Sequence, residues 1–223
     1  YTAKGKFQLI IKSFKEKQDG IIWKKYIELK NRLSDEGLFD DRYKKRIPKY
    51  PFNIGIISSG EGAVIHDMLN IFQVTAPHIQ LHLISCKIQG IGSANQIMQA
   101  INMFNNDNET DIIIIARGGG SFEDLNSFND EKLARTIFKS EIPIITAIGH
   151  ETDHTIADFV SDVRASTPSV SAHLVTELSK NLLSEIQDYK NLIKHSLEKR
   201  IDFLNNENKN LKSHLSIDYI SDI

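Results

Sequence analysis

The sequence predicts an α/β fold: a mostly parallel sheet of about four strands with helices on both faces, then a long C-terminal amphipathic helix. Three observations carry this. Four short isoleucine-rich runs, FNIGIIS, IQLHLIS, DIIIIA and PIITAIG, are each bounded by turn residues. Helical patterns alternate with them: Ala63 to Val74, Ser93 to Asn105, Asn129 to Lys139 and Thr155 to Val160. Residues 170–223 contain neither glycine nor proline and repeat apolar residues at helical spacing.

Taken in order, Lys6 to Phe14 alternates like a strand, and the opening YTAKGKFQLI reads as a cut through a folded unit. Asp19 and Gly20 open a helix with Ile22, Trp23, Tyr26, Leu29 and Leu33 at helical spacing, and Gly37 is its expected stop. RYKKRIPKYP is then either a solvated basic linker or a phosphate-facing patch. Near-continuous apolar strands alternating with helices indicate a parallel sheet covered on both faces, with its chemistry outside the carboxyl ends of the strands. Pro168 is placed to start the long helix, whose stripe runs through Leu182, Ile186, Tyr189, Ile193, Leu197, Ile201, Leu204, Leu211 and Leu215. The mean spacing is nearer to about 3.7 than to a heptad's 3.5, so a plain left-handed coil is not expected, but a partner is. The expected divisions are 1–18, 19–50, 51–169 and 170–223.

Composition narrows the function. The chain has 223 residues, 40% hydrophobic and 25% charged, which is enough to bury one core. It has neither a signal-peptide pattern nor a run of about 18 apolar residues. Its net charge of −2 means that any nucleic-acid binding must come from local patches. The single Cys86, inside LHLISCKI, fits a reducing compartment and reads as a small buried hydrophobe.

Three strand ends carry chemistry. After DIIIIA, Arg117 precedes Gly118, Gly119, Gly120 and Ser121. Consecutive glycines let several N–H groups aim at one point, and a guanidinium pairs with phosphate oxygens, so the turn reads as anion-binding. The alternative is a flexible turn with Arg117 in a structural ion pair. After PIITAIG comes HETDH, which matches the zinc-peptidase pattern H-E-x-x-H. That pattern needs both histidines on one established helix, whereas His150 follows a strand and Gly149, and Thr152 or Asp153 is the expected N-cap. A histidine and carboxylate three apart suit proton transfer, or holding a water or divalent ion. After FNIGIIS, Gly60 and Gly62 lead to Asp67, whose local reading is either a helix-dipole partner or exposed carboxylate, or a functional carboxylate at a strand end. Arg164, Ser166, Thr167 and Ser169 line either a phosphate track or a set of helix caps.

Together, SSGEGAVIHDML, DIIIIARGGGSFEDLNSFNDEKLARTIF, IPIITAIGHETDHTIADFVSDVRASTPS and LKNRLSDEGLFDDRYKKRIPKYP resemble the exonuclease VII large-subunit family, from Tyr1 into the helix after Ser169. The resemblance implies a cytoplasmic exodeoxyribonuclease that cleaves single-stranded DNA from both ends to oligonucleotides. It implies an N-terminal OB-fold, of which 1–18 would be a remnant, and a helical arm that gathers small subunits, of which 170–223 would be the start. Self-association through that arm is a further expectation. The family's catalytic residues correspond to Asp67, Arg117, His150 and Asp153. The phosphate-binding set is then Gly118, Gly119, Gly120, Ser121, Arg164, Ser166 and Thr167. A strict metal requirement is not implied; Mg2+, if used, would fall to Asp67 and Asp153. Single-strand preference is expected to come largely from the OB-fold. Two rivals remain: a zinc metallopeptidase through His150 and His154, and a non-catalytic assembly module.

Overall fold

A computed structural model describes residues 18–60, 63–107, 109–118, 122–149 and 154–221. The expected strand Lys6 to Phe14 lies outside them. Five strands form one parallel sheet in the order β2-β1-β3-β4-β5: β1 Asn53–Ser58, β2 Gln80–Ser85, β3 Ile112–Ala116, β4 Ile144–Ala147 and β5 Val163–Arg164. The fifth strand corrects the expected four. β5 is too short to show a periodicity, and it joins the edge because Val163 and Arg164 register against Ile145 and Thr146.

Helices cover both faces: α1 Gln18–Asp35, α2 Ala63–Thr75, α3 Ser93–Asp107, α4 Glu131–Lys139, α5 Ile156–Val160 and α6 Pro168–Ser221. The strands alternate their side chains between two cores. Ile57, Ile113, Ile115 and Ile144 pack with Ile97 and Phe104 of α3, Leu133 of α4 and Ile156 of α5. Ile54, Ile56, Ile114 and Ile145 pack with Met68 and Phe72 of α2 and with Ala172 and Val175 of α6. β2 departs from the expectation of burial on both faces. It is the sheet edge, and its His82 and Leu83 are exposed.

Local signals account for most boundaries. Gly37, at φ 79°, ends α1 as expected: its N–H donates to the Ser34 carbonyl at 2.9 Å and that of Leu38 to the Leu33 carbonyl at 3.0 Å, with Leu33 and Leu38 both buried. Asp130 caps α4 by accepting the Leu133 N–H at 3.0 Å, which moves the start of that helix past the expected Asn129. Residues Phe122–Asn129 instead form a 3-10 helix. α5 is capped by Thr155, not by Thr152 or Asp153. The Thr155 hydroxyl accepts the Asp158 N–H, and the Asp158 carboxylate accepts the Thr155 N–H at 2.9 Å.

The basic segment after α1 is largely held in structural pairs. Asp162, nearly buried, accepts the Lys45 N–H at 2.6 Å and the Ile144 N–H at 2.7 Å, with the Lys45 ammonium at 3.3 Å. Lys49 pairs with Glu185 of α6 at 2.9 Å, and Arg42 with Asp40 at 2.7 Å. The linker reading therefore fits this stretch better than a phosphate patch. α6, about 80 Å long at 1.5 Å per residue, packs at its start against α2 and then carries Ile186, Tyr189, Ile193, Leu197, Ile201 and Leu204 exposed. Among the described residues no helix is long and apolar enough to cross a membrane. Cys86 is half-buried beside the α3 core, and burial pushes its thiol pKa up.

Two consequences are measurable. A methyl group on Gly55, in the middle of β1, would stand 2.7 Å from the Phe104 ring. Gly55→Ala should lower unfolding free energy by about 1–3 kcal/mol in urea melts, with partial recovery when Phe104→Leu makes room. The Tyr26 hydroxyl of α1 donates to the His154 carbonyl at 3.0 Å, and burial followed by the Asp158 charge raises its pKa from 10.0. A raised folded pKa favours the protonated folded state. The contribution of Tyr26 to stability is therefore complete below pH 10.0 and is lost as pH rises through the folded value. Tyrosinate absorbance should show one late-titrating group that Tyr26→Phe removes, and the variant should lose the corresponding alkaline fall in stability.

Candidate active site

The carboxyl ends of β3, β4 and β5 meet at one stretch of the sheet rim. The Arg117 N–H donates to the Ala147 carbonyl at 3.0 Å, continuing the β3–β4 ladder one residue beyond the last paired isoleucine-rich position. Arg117 is only 5% exposed, and Gly118 beside it is half-buried. A guanidinium keeps its charge there through the contacts it makes in the fold, and its planar fork is also suited to phosphate oxygens. On the other side of β4, Arg164 registers against Thr146. Its Nε stands 3.9 Å from the Asp158 carboxylate, and its side chain is largely buried. Arg117 and Arg164 thus flank the end of the strand that leads to His150.

Asp158 serves two neighbours. Its Oδ2 closes the α5 cap and faces Arg164, while its buried Oδ1 accepts no hydrogen bond from the described residues. Ser166 is half-buried. The Thr167 hydroxyl accepts the Val170 N–H at 3.2 Å, so it works as a cap of α6. Asp67 is exposed in the second turn of α2, on the sheet face opposite α5. Gly119, Gly120, Ser121, His150 and Asp153 lie outside the described residues.

His154 precedes the N-cap Thr155 and is not on a helix, so the zinc-peptidase geometry of two histidines one turn apart on a helix is not met. Among the described residues no group of three or more His, Cys, Asp or Glu is placed to hold a metal. Of the two carboxylates proposed for magnesium, only Asp67 is described, and alone it is not a site.

The same rim carries a feature that sequence reasoning passed over. A cavity of about 630 Å³ lies between α1, the turn after β2 and the 3-10 helix after β3, lined among others by Lys25, Tyr26, Gly92 and Asn129. The turn is held by two hydroxyls on one carbonyl: Ser93 donates to Gly90 at 2.7 Å and Ser127 at 3.3 Å. The glycines in SCKIQGIGS were the available signal, since Gly90 and Gly92 sit at φ 83° and 85°.

Residues 38–221 match the family model described as exonuclease VII, large subunit. The chain is also 45% identical, over 207 residues, to the exodeoxyribonuclease 7 large subunit of Clostridium beijerinckii, an alignment covering 92% of this chain and 52% of that protein. The chain therefore spans about half the length of the curated relative it matches. With most of its residues inside the family model, the chain belongs to the exonuclease VII large-subunit family.

Proposed function

We propose that this chain is the catalytic part of an exodeoxyribonuclease that hydrolyses single-stranded DNA from either end to oligonucleotides. The observation that carries the reading is the pair of arginines, buried Arg117 and partly buried Arg164, flanking the carboxyl end of β4 within a chain of this family. A scissile phosphodiester would lie across that rim. Arg117 and the N–H groups from Gly118 to Ser121 would stabilise the charge gathering on the pentacoordinate phosphorus, a role for preorganised donors. His150 would take a proton from the attacking water or give one to the leaving oxygen, with Asp153 or Asp67 orienting it. Arg164, steadied by Asp158, would hold the neighbouring phosphate together with Ser166 and Thr167.

The divisions expected from sequence are part of this proposal: 1–18 as belonging to an OB-fold, 19–50 as connector, 51–169 as the catalytic unit and 170–223 as the arm. α6 begins its packing at Pro168 and contributes Ala172 and Val175 to the core before it leaves the sheet. Its exposed apolar stripe is the proposed docking surface for small subunits or for a second copy of the chain. The unpaired, half-buried Cys86 suits the reducing cytoplasm.

Digestion of end-labelled single-stranded DNA by the assembled enzyme, with and without chelator, tests the proposal. Arg117→Ala should slow cleavage on the order of a hundredfold or more, and Arg117→Lys should recover only part of it, because an ammonium cannot bind two phosphate oxygens as a planar fork. His150→Ala should abolish most of the remaining turnover. An Arg117→Ala enzyme with unchanged rate removes that residue from the mechanism, and failure of the wild type to digest single strands overturns the proposal.

A further inference from the structure

We infer that α1 and the start of α5 form a base-stacking subsite for single-stranded nucleic acid, next to the catalytic loop. This rests on the nuclease reading and specifies where the substrate's bases go. Trp23 is 53% exposed and stacks on Tyr26, with ring centroids 5.2 Å apart and planes at 30°. Across a narrow apolar cleft lined by Ile22, Leu125 and Thr155 stands His154, exposed and stacked on Phe159 at 5.6 Å. The Tyr26–His154 hydrogen bond joins the two aromatic pairs. The cleft shares Ile22, Tyr26 and Asn129 with the 630 Å³ cavity, so the two form one continuous groove along the rim.

Three features match this groove to a single strand. Aromatic faces accept any base, because every base has a π-face, which suits sequence-independent binding. Cations for a polyanion lie on and beside the groove: Lys25 lines it, and the Lys30 ammonium lies 4.2 Å over the ring of Phe159, on which His154 stacks. The carboxylate on the groove, Asp130, is engaged in capping α4. Location supplies the third. His154 directly follows in sequence the residues 150–153 that the nuclease reading places at the reaction. A base stacked here belongs to a nucleotide adjacent to the scissile phosphate. A duplex keeps its base faces inside the stack and has none to offer such a platform, which gives this chain its own source of single-strand preference.

Trp23 is the only tryptophan in the chain, so its emission reports on the site directly. Oligo(dT) should quench it, while an abasic strand of the same length and charge should leave it unchanged and bind more weakly. By anisotropy, Trp23→Ala should weaken oligo(dT) binding about fivefold to a hundredfold, the range for loss of one aromatic–base stack. Trp23→Phe should retain most of the affinity, and Trp23 is exposed enough that both variants should fold. Equal quenching by the abasic strand, or oligo(dT) binding by anisotropy without any change in emission, overturns the subsite. If the assembled enzyme still digests single strands in either case, the nuclease reading survives; absence of both binding and digestion removes the two together.

Discussion

Burying β1, β3 and β4 on both faces confines polar chemistry to the sheet's ends, and the rest of the structure follows from that constraint. Isoleucines at successive positions of β3 feed two separate cores, so no charged side chain can sit within the strand. The first that can is Arg117, immediately beyond the last apolar residue. Its backbone remains in the ladder with Ala147, so the guanidinium starts from a rigid point. A charge positioned by strand geometry keeps its place during reaction better than one on a free loop. Arg164 gains similar rigidity differently: two residues of β5 are enough to fix its backbone beside Thr146, and Asp158 holds the side chain.

The sheet was legible because parallel strands must be continuously apolar, and the four isoleucine-rich runs fall within a residue or two of the observed strands. What escaped was what period and composition do not encode. β5 has two residues and is a strand only because β4 lies beside it. β2 reads as apolar as the others, yet it occupies the edge, since strand order is a property of the crossovers. The cap of α5 was placed too early because Thr152, Asp153 and Thr155 are all competent caps. Only the reciprocal bonds of Thr155 and Asp158 select among them.

The site was legible in part for the same reason. Arg117 and its glycines stand out because they interrupt apolar runs at strand ends. Trp23 and Tyr26 do not, because a helical aromatic pair looks like core. Leu33 and Leu29 of the same stripe do pack inward, but the stripe turns outward toward the start of α1 and leaves the indole open. Asp67 shows the opposite limit. Its local sequence favours an exposed carboxylate, and an exposed carboxylate is what α2 presents; its proposed role comes from resemblance alone.

Separating phosphate chemistry from base contact has a physical rationale. In the proposed reading, arginines at the rim would attract any polyanion, duplex or single-stranded, since phosphate carries no information about the bases. Discrimination therefore requires a surface that rewards an unstacked base, close enough to the rim that the same nucleotide engages both. α1 can supply it because the Schellman turn at Gly37 and the burial of Leu33 anchor its far end, while Tyr26 ties its near end to His154, the residue that follows the proposed catalytic Asp153 in sequence. Without that tether, an aromatic platform on a surface helix would have no defined distance to the scissile bond. The hydrogen bond from Tyr26 to the His154 carbonyl thus converts a packing helix into part of the substrate groove.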